Sequence, residues 1–232
     1  MMKRVFVILS MLLFTIASFA QKDTTLRKKD RKRDVLLQTN YGDIIVRLSG
    51  STPLHRDNFL LLAKTGFYDS TLFHRVIQNF MIQGGDPNSK NAPAGQPLGN
   101  GGPQKKIPAE FRQSLFHKKG VLAAARNDNP EKASSGSQFY IVAGKIFTDG
   151  GLDSIETYRL KRKIPVAQRE VYKTIGGTPH LDQTYTVYGE VVKGMEVVDK
   201  ISIVQTSKGP DRDRPQQDIR ISKAKLIKRK RY

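Results

Sequence analysis

The chain has 232 residues, a formal net charge of +19, and neither cysteine nor tryptophan. That length suits one domain with tails or an insertion, and the missing cysteines exclude a disulfide framework and lipid attachment at a cysteine. The charge gathers at the ends: residues 22–33 carry seven Lys/Arg against two Asp, and residues 220–231 carry seven with no acid.

The first twenty residues combine a positive start (MMKR), a thirteen-residue apolar run (VFVILSMLLFTIA) and small residues at Ser18 and Ala20. This layout predicts a secretory signal peptide cleaved before Gln21, since thirteen residues fall short of the roughly 20 that span a bilayer. An exported protein is expected, periplasmic where the cell has two membranes and secreted otherwise. Residues 21–34 then read as a basic linker and residues 35–232 as one domain, which includes a helical insertion at 145–178 and a basic last strand and tail at 220–232. The basic ends read either as arms for lipid head groups or nucleic acid, or as a solvated juncture and a lysine-rich edge that resists strand pairing. No aromatic residue interleaves with the basic ones before Tyr232. Nucleic acid is therefore not an expected partner, weak contact with anionic surfaces stays open, and a monomer is expected.

Within the domain, VLLQTNYGDIIVRL (35–48) reads as a hairpin turning at Asn40-Tyr41-Gly42-Asp43. Ser51-Thr52-Pro53 opens a helix with capping hydroxyls and a first-turn proline. Phe59, Leu62 and Ala63 fall on one face of it, and Gly66 ends it. Strand patterns follow at 71–77 and 80–83, then a long Gly/Pro/Asn-rich loop over 84–109, and strands again at 120–125 and 138–142. The insertion holds two helical patterns, LDSIETYRLKRK and PVAQREVYKTI, with Ala167, Val171 and Ile175 at four-residue spacing and Gly176-Gly177 as the stop. Strand YTVYGEVV, helix MEVVDKI and an alternating strand over 218–228 complete the chain. Many short strands with two flanking helices predict a mainly β fold, an antiparallel barrel rather than a βαβ sheet.

The usual catalytic constellations are missing. His55, His74, His117 and His180 are widely spaced with no HExxH, GNGG (99–102) lacks the GK[ST] ending of a phosphate loop, and no GxSxG surrounds Ser134, Ser135 or Ser137. No metal, cofactor or protein nucleophile is expected. What remains is a scatter of polar residues beside large apolar ones, in which Arg75 and Gln83 interrupt the alternating stretch FHRVIQNFMIQGGD (73–86). By spacing alone the apolar members read equally as core.

FHRVIQNFMIQGGD, GNGGP, IPAEF (107–111), GVLAAAR (120–126), GSQFYI (136–141) and HLDQTYTVYGEVVKGMEVVD (180–199) together resemble the cyclophilin peptidyl-prolyl isomerases, from about Val35 to Ile227. The 145–178 insertion resembles one in some bacterial members and is missing from compact animal forms. The resemblance implies an eight-stranded antiparallel barrel capped by two helices, with the active groove on its outer surface and proline-containing polypeptides as substrates. It implies catalytic roles for Arg75, as donor to the prolyl nitrogen, and for Gln83, which helps hold the arginine and the substrate carbonyl. It also implies a proline pocket of Phe80, Met81, Tyr140 and Leu181, with Ala125 and Gln138 lining the adjoining groove.

Several positions depart from the family pattern. Tyr140 stands where phenylalanine is usual, adding a hydroxyl that must find a partner. Arg126 replaces an asparagine that binds substrate through its backbone. His180 takes the place of a tryptophan associated with cyclosporin binding, so weak sensitivity to that drug is expected. Tyr185 replaces a histidine that donates to a substrate carbonyl, and Gln78-Asn79 replaces a proline-containing turn. The expected activity is isomerisation of X–Pro bonds in unfolded or partly folded exported proteins. The alternative is a low-activity peptide-binding or chaperone module using the same groove.

Overall fold

A computed structural model describes residues 24–232; the predicted signal peptide lies outside the described residues. The strands are β1 (Arg33–Thr39), β2 (Gly42–Leu48), β3 (Phe73–Ile77), β4 (Met81–Gly84), β5 (Val121–Ala124), β6 (Phe139–Val142), β7 (Val187–Lys193) and β8 (Ile221–Lys228), with helices α1 (Pro53–Lys64), α2 (Asp149–Ile155), α3 (Val166–Thr174) and α4 (Met195–Ser202). The strands form one antiparallel sheet in the order β3-β4-β6-β5-β7-β2-β1-β8. Its two ends meet. Ser70 N–H donates to Ile221 O at 2.7 Å, Ile221 N–H to Thr71 O at 2.8 Å, and Phe73 N–H to Ile219 O at 2.8 Å, which closes the barrel. The fold is mainly β, as the strand pattern predicts.

Successive side chains on a strand point to opposite faces, and here both faces of several strands are apolar. Ile82, Leu122, Ala124, Phe139 and Ile141 join Val35, Leu37, Ile44 and Val46 in the interior, where Phe59 and Leu60 of α1 and Val197, Val198 and Ile201 of α4 also pack. Their neighbours Met81, Val121, Ala123, Tyr140 and Val142, with Val187, form a second cluster on the other face of the same strands. Of that second cluster, Met81 and Tyr140 line the candidate site.

The β1–β2 hairpin turns at Asn40-Tyr41, with Thr39 opposite Gly42 and Gly42 at φ 127°. Helix α1 begins at Pro53 as expected, but the Thr52 hydroxyl makes no capping bond. The cap comes from Glu110 instead, whose carboxylate accepts from Leu54 N–H at 3.2 Å and His55 N–H at 3.0 Å. A carboxylate supplies two acceptors and a charge that suits a helix N-terminus, which a threonine hydroxyl lacks. Glu110 also meets His55 Nδ1 at 2.7 Å, and His55 Nε2 meets Ser134 Oγ at 2.9 Å. Burial pushes the Glu110 carboxyl up, but the hydrogen bonds from His55 and Leu54 outweigh this and hold it below its ordinary value. The order Ser–His–Glu is that of a hydrolase relay, yet all three side chains are buried and the carboxylate is occupied by the helix.

The insertion is helical, with a different buried face from the one its spacing suggests. Helix α2 continues into a π-helical turn (Glu156–Leu160), Lys161 reverses the chain at φ 55°, and α3 follows. Val166, Ala167 and Ile175 are exposed and Val171 is half-buried, whereas Tyr172 is fully buried with Leu152 and Ile164. Phe116 and Phe147 pack edge-on to the Tyr172 ring at 5.5 and 6.4 Å. The aliphatic stripe loses to an aromatic that offers more area and a hydroxyl with a partner. Buried Glu156 ties the two helices by accepting from Arg169 at 2.7 Å and from Ile164 N–H at 3.0 Å. Gly176-Gly177 ends α3 as expected. At Gly177, with φ 155°, a Cβ would collide with the His117 carbonyl oxygen and the Tyr172 ring.

Several basic groups at the two ends are engaged in the fold. Buried Asp34 is clamped by Arg47 at 3.0 and 2.8 Å and by Arg229 at 3.1 Å. Arg31 meets Asp57 at 2.8 Å, and Lys223 meets Asp69 at 2.6 Å. Among the described residues no helix is long and apolar enough to cross a membrane.

Candidate active site

The register of the sheet assembles the site. Arg75 on β3 lies opposite Gln83 on β4, and Gln83 lies opposite Tyr140 on β6, so all three emerge on the outer face. The β3–β4 turn at Gln78-Asn79 works without proline because Asn79 takes φ 61°, a left-handed conformation asparagine tolerates, and Phe80 N–H donates to Ile77 O at 3.1 Å. Phe80 and Met81 follow directly.

A cavity of about 150 Å³ is lined by Arg75, Phe80, Met81, Gln83, Ala125, Arg126, Tyr140, Leu181 and Tyr185. Nine of the eleven residues singled out from the sequence therefore share one small depression. It is below the roughly 300–1,000 Å³ of pockets that take drug-sized ligands, and its apolar wall suits a single ring. Of the other two residues, Gln138 lies in an adjoining cavity of about 250 Å³ with Gly99–Gly102, Pro103, Gln104, Lys106 and Ser135. Gln83, Ala125 and Arg126 border both cavities. His180 lies outside both linings, stacked behind Phe80 at 5.6 Å, and burial pushes its imidazole below its ordinary value.

The polar rim is one hydrogen-bonded row. Arg75 Nη1 donates to Gln83 Oε1 at 3.4 Å, Gln83 Nε2 to Gln138 Oε1 at 3.0 Å, and Gln138 Nε2 to the carbonyls of Gly99 at 2.8 Å and Gly101 at 2.7 Å. Asp213 flanks the arginine from the other side, 3.6 Å from Nε, and its carbonyl receives Val76 N–H at 2.8 Å. Less than half of the Arg75 side chain is exposed, so the guanidinium is both held and accessible. The glycine loop is organised by buried Asp86, which accepts from Asn88 N–H at 2.8 Å, Gly99 N–H at 2.6 Å and Gly101 N–H at 3.3 Å. A Cβ on Gly101 would run into that carboxylate.

Arg126 lies over the Tyr185 ring at 4.8 Å and donates from Nε to Thr184 O at 3.1 Å. The Tyr140 hydroxyl finds its partner in His117 Nε2 at 3.0 Å, and burial, with Tyr185 and Asp182 nearby, pushes that hydroxyl well above its ordinary range. Asp86, Asp213, His117 and Asp182 escaped the sequence reading. The GGD ending of FHRVIQNFMIQGGD is the one sign in the sequence of the first.

Among the described residues no cluster of His, Asp or Glu could hold a metal ion. The arrangement seats a small apolar ring and aims a charged donor across it.

A closed antiparallel barrel with an arginine–glutamine pair over an apolar cavity on its outer face places the protein in the cyclophilin-like class. The family model described as cyclophilin type peptidyl-prolyl cis-trans isomerase/CLD matches residues 34–226, and the chain belongs to that family. It is 33% identical over 196 residues to peptidyl-prolyl cis-trans isomerase CYP18-1 of Arabidopsis thaliana, covering 83% of this chain and 94% of that one. It is also 33% identical over 212 residues to peptidyl-prolyl cis-trans isomerase-like 2 of Rhizopus delemar, covering 89% of this chain. The chain spans 31% of that relative's length and 37% of another from Streptococcus pyogenes serotype M6. The crystal structure of a Cryptosporidium parvum cyclophilin type isomerase, determined in the presence of the dipeptide Ala-Pro, has the same fold. Its TM-score is 0.60 at 24% identity, over 84% of this chain and 99% of that one.

Proposed function

We propose that the protein is a peptidyl-prolyl cis-trans isomerase that acts on X–Pro bonds of unfolded or partly folded exported polypeptides. The observation that carries this reading is Arg75, braced by Gln83 and Asp213, at the rim of the cavity formed with Phe80, Met81, Tyr140 and Leu181. Rotation about an X–Pro bond must break amide conjugation, a barrier of roughly 18–20 kcal/mol. At the twisted geometry the prolyl nitrogen regains its lone pair and becomes a better hydrogen-bond acceptor. A donor aimed at it binds the twisted state more tightly than either planar isomer, which lowers the barrier. Arginine suits the task as a rigid, charged fork. The apolar cavity holds the proline ring, and the adjoining cavity along Ala125 and Gln138 takes the residues before it. No bond to a protein atom is formed or broken.

The experiment is a proline-peptide exchange assay on wild type and Arg75→Ala. Removing a preorganised transition-state donor typically lowers kcat by about 10²–10³-fold, and that loss is expected here. A wild type no faster than Arg75→Ala refutes the enzymatic reading. For the exported location, the N-terminus of the protein recovered from the secreted or periplasmic fraction is expected at Gln21; recovery solely in the cytoplasm with Met1 intact refutes it.

A second reading, client holding by the insertion, is favoured by its exposed apolar residues Ile146, Tyr158, Val166 and Ile175. Replacing Tyr158 and Val166 by serine would then weaken suppression of client aggregation while peptide exchange persists. Unchanged suppression counts against it.

A further inference from the structure

The Tyr140 hydroxyl opens a buried polar chain that runs from the cavity into the insertion. Tyr140 Oη meets His117 Nε2 at 3.0 Å. On the far side of that ring, His117 Nδ1 meets Asp182 Oδ1 at 3.0 Å, and the His117 backbone N–H donates to the same oxygen at 2.8 Å. The other carboxylate oxygen, Asp182 Oδ2, accepts from the Tyr172 hydroxyl at 2.8 Å. None of the four residues is more than 4% exposed. The direction of the bonds follows from the donors. Burial raises the Tyr172 hydroxyl above its ordinary range, so it keeps its proton and donates a hydrogen bond to Asp182. With the ring proton on Nδ1 donated to the same carboxylate, Nε2 is left to accept from Tyr140.

The two ends of the chain belong to different parts of the molecule. Tyr140 lines the cavity, and Asp182 directly follows Leu181, which lines it too. Tyr172 belongs to α3, at the centre of the insertion's own apolar cluster. Backbone bonds pin that cluster beside His117: Thr178 N–H donates to His117 O at 2.8 Å, Lys119 N–H to Gly176 O at 2.9 Å, and Phe147 N–H to Tyr172 O at 3.1 Å.

We propose that the 145–178 insertion is a working part of the proline site, with Tyr172 as a positioning residue that sets the Tyr140 and Leu181 walls through Asp182 and His117. The inference rests on the reading of the cavity as the proline site. Its physical basis is that buried polar groups have no water to fall back on, so each link holds its neighbour at a fixed distance and angle. A phenylalanine at position 140 would be placed by packing alone. Tyr140 is placed by packing and by a bond whose far end lies in the insertion. Without the Tyr172 hydroxyl, Asp182 keeps only the two His117 donors, both on one oxygen, and its carboxylate can turn, carrying the Leu181 backbone and the His117 ring with it. The wall then loosens while Arg75, held separately by Gln83 and Asp213, stays in place. Ground-state seating of the ring suffers and the donor does not.

The test is a double-mutant cycle with Tyr172→Phe and Tyr140→Phe, read as KM and kcat for a proline peptide, with thermal unfolding of each form alongside. With Tyr140 present, Tyr172→Phe is expected to raise KM about fivefold and leave kcat within about twofold; with Phe at position 140, the same change is expected to raise KM only about twofold, the part carried by Leu181 alone. A merely structural role would lower the melting temperature in both backgrounds and couple to neither kinetic constant. Equal KM effects in both backgrounds, or no KM effect with Tyr140 present, overturn the proposal. A measurement on unaltered protein guards against a variant that fails to fold. Saturating proline peptide is expected to slow amide hydrogen exchange across residues 171–176, and no change there overturns the proposal as well. An inactive wild type removes the function on which the inference rests; an active wild type without coupling removes the inference alone.

Discussion

Gln83→Leu separates orienting the arginine from being the donor. Leucine keeps the bulk of Gln83 and removes two bonds: the Gln83 Oε1 acceptor of Arg75 at 3.4 Å and the Nε2 donor to Gln138 at 3.0 Å. A hydrogen bond to a charged group is worth roughly 1.5–3 kcal/mol net. At 3.4 Å the lower end applies, so about 1.5 kcal/mol of orientation is lost, close to tenfold in kcat/KM. Arg75 remains tethered by Asp213 at 3.6 Å, so the loss stays partial. Stability changes by about 1 kcal/mol, because Gln138 Oε1 loses its donor beside a cavity that water can enter. Peptide-exchange kinetics and urea unfolding on the same preparation give both numbers. Activity within twofold of wild type would show that Gln83 does not orient the arginine. Activity as low as that of Arg75→Ala would show that it does more than orient.

Two further outcomes follow from buried groups away from the rim. Glu110→Ala strips the cap from α1 and leaves His55 Nδ1 buried without its partner; at about 1 kcal/mol for the cap and 1–3 kcal/mol for the orphaned nitrogen, urea unfolding should show a loss of about 2–4 kcal/mol, and a loss below about 1 kcal/mol would mean that another group caps the helix. His74 is pushed by burial from 6.5 to about 4, against an opposing pull from Asp86, so the unfolded chain binds a proton that the fold excludes between those values. Stability from this group is complete above pH 6.5 and falls as pH drops toward 4, by about 3 kcal/mol in all; His74→Phe should flatten that part of the pH–stability curve, and an unchanged slope would place the titration elsewhere.

The strands were legible because each carries an apolar pattern bounded by turn residues, and the barrel followed from their number and shortness. The function of the outward face was not legible from pattern. Met81, Val121, Ala123, Tyr140 and Val142 look like core to any periodicity argument, since both faces of their strands are apolar. Only the resemblance across separate motifs picked out Met81 and Tyr140, which line the cavity, from neighbours that are packed as core. Asp213 and Asp86 stayed hidden for another reason. Each is an acid in a loop, and its meaning lies in what it touches across 138 or 13 positions of sequence, Arg75 and Gly99 respectively. The Thr52 cap fails in the same way, because a better acceptor arrives from Glu110, 56 residues past Leu54. Local rules rank local candidates and cannot see a remote carboxylate.

The insertion inverts this relation between pattern and structure. Its four-residue spacing of Ala167, Val171 and Ile175 is a sound helical signal, and α3 is indeed a helix, but its buried face is the one carrying Tyr172. An aliphatic stripe on a short helix gains only its burial. Tyr172 gains burial between Phe116 and Phe147 and also satisfies a carboxylate that would otherwise be buried with one oxygen unpaired. The orientation of α3 is therefore set by Asp182, a residue on the pocket side of the junction. The one clue in the sequence was Tyr140, whose hydroxyl, placed where the family carries phenylalanine, demanded a partner. The partner proves to be His117, and behind it stands the helix whose orientation the sequence pattern had missed.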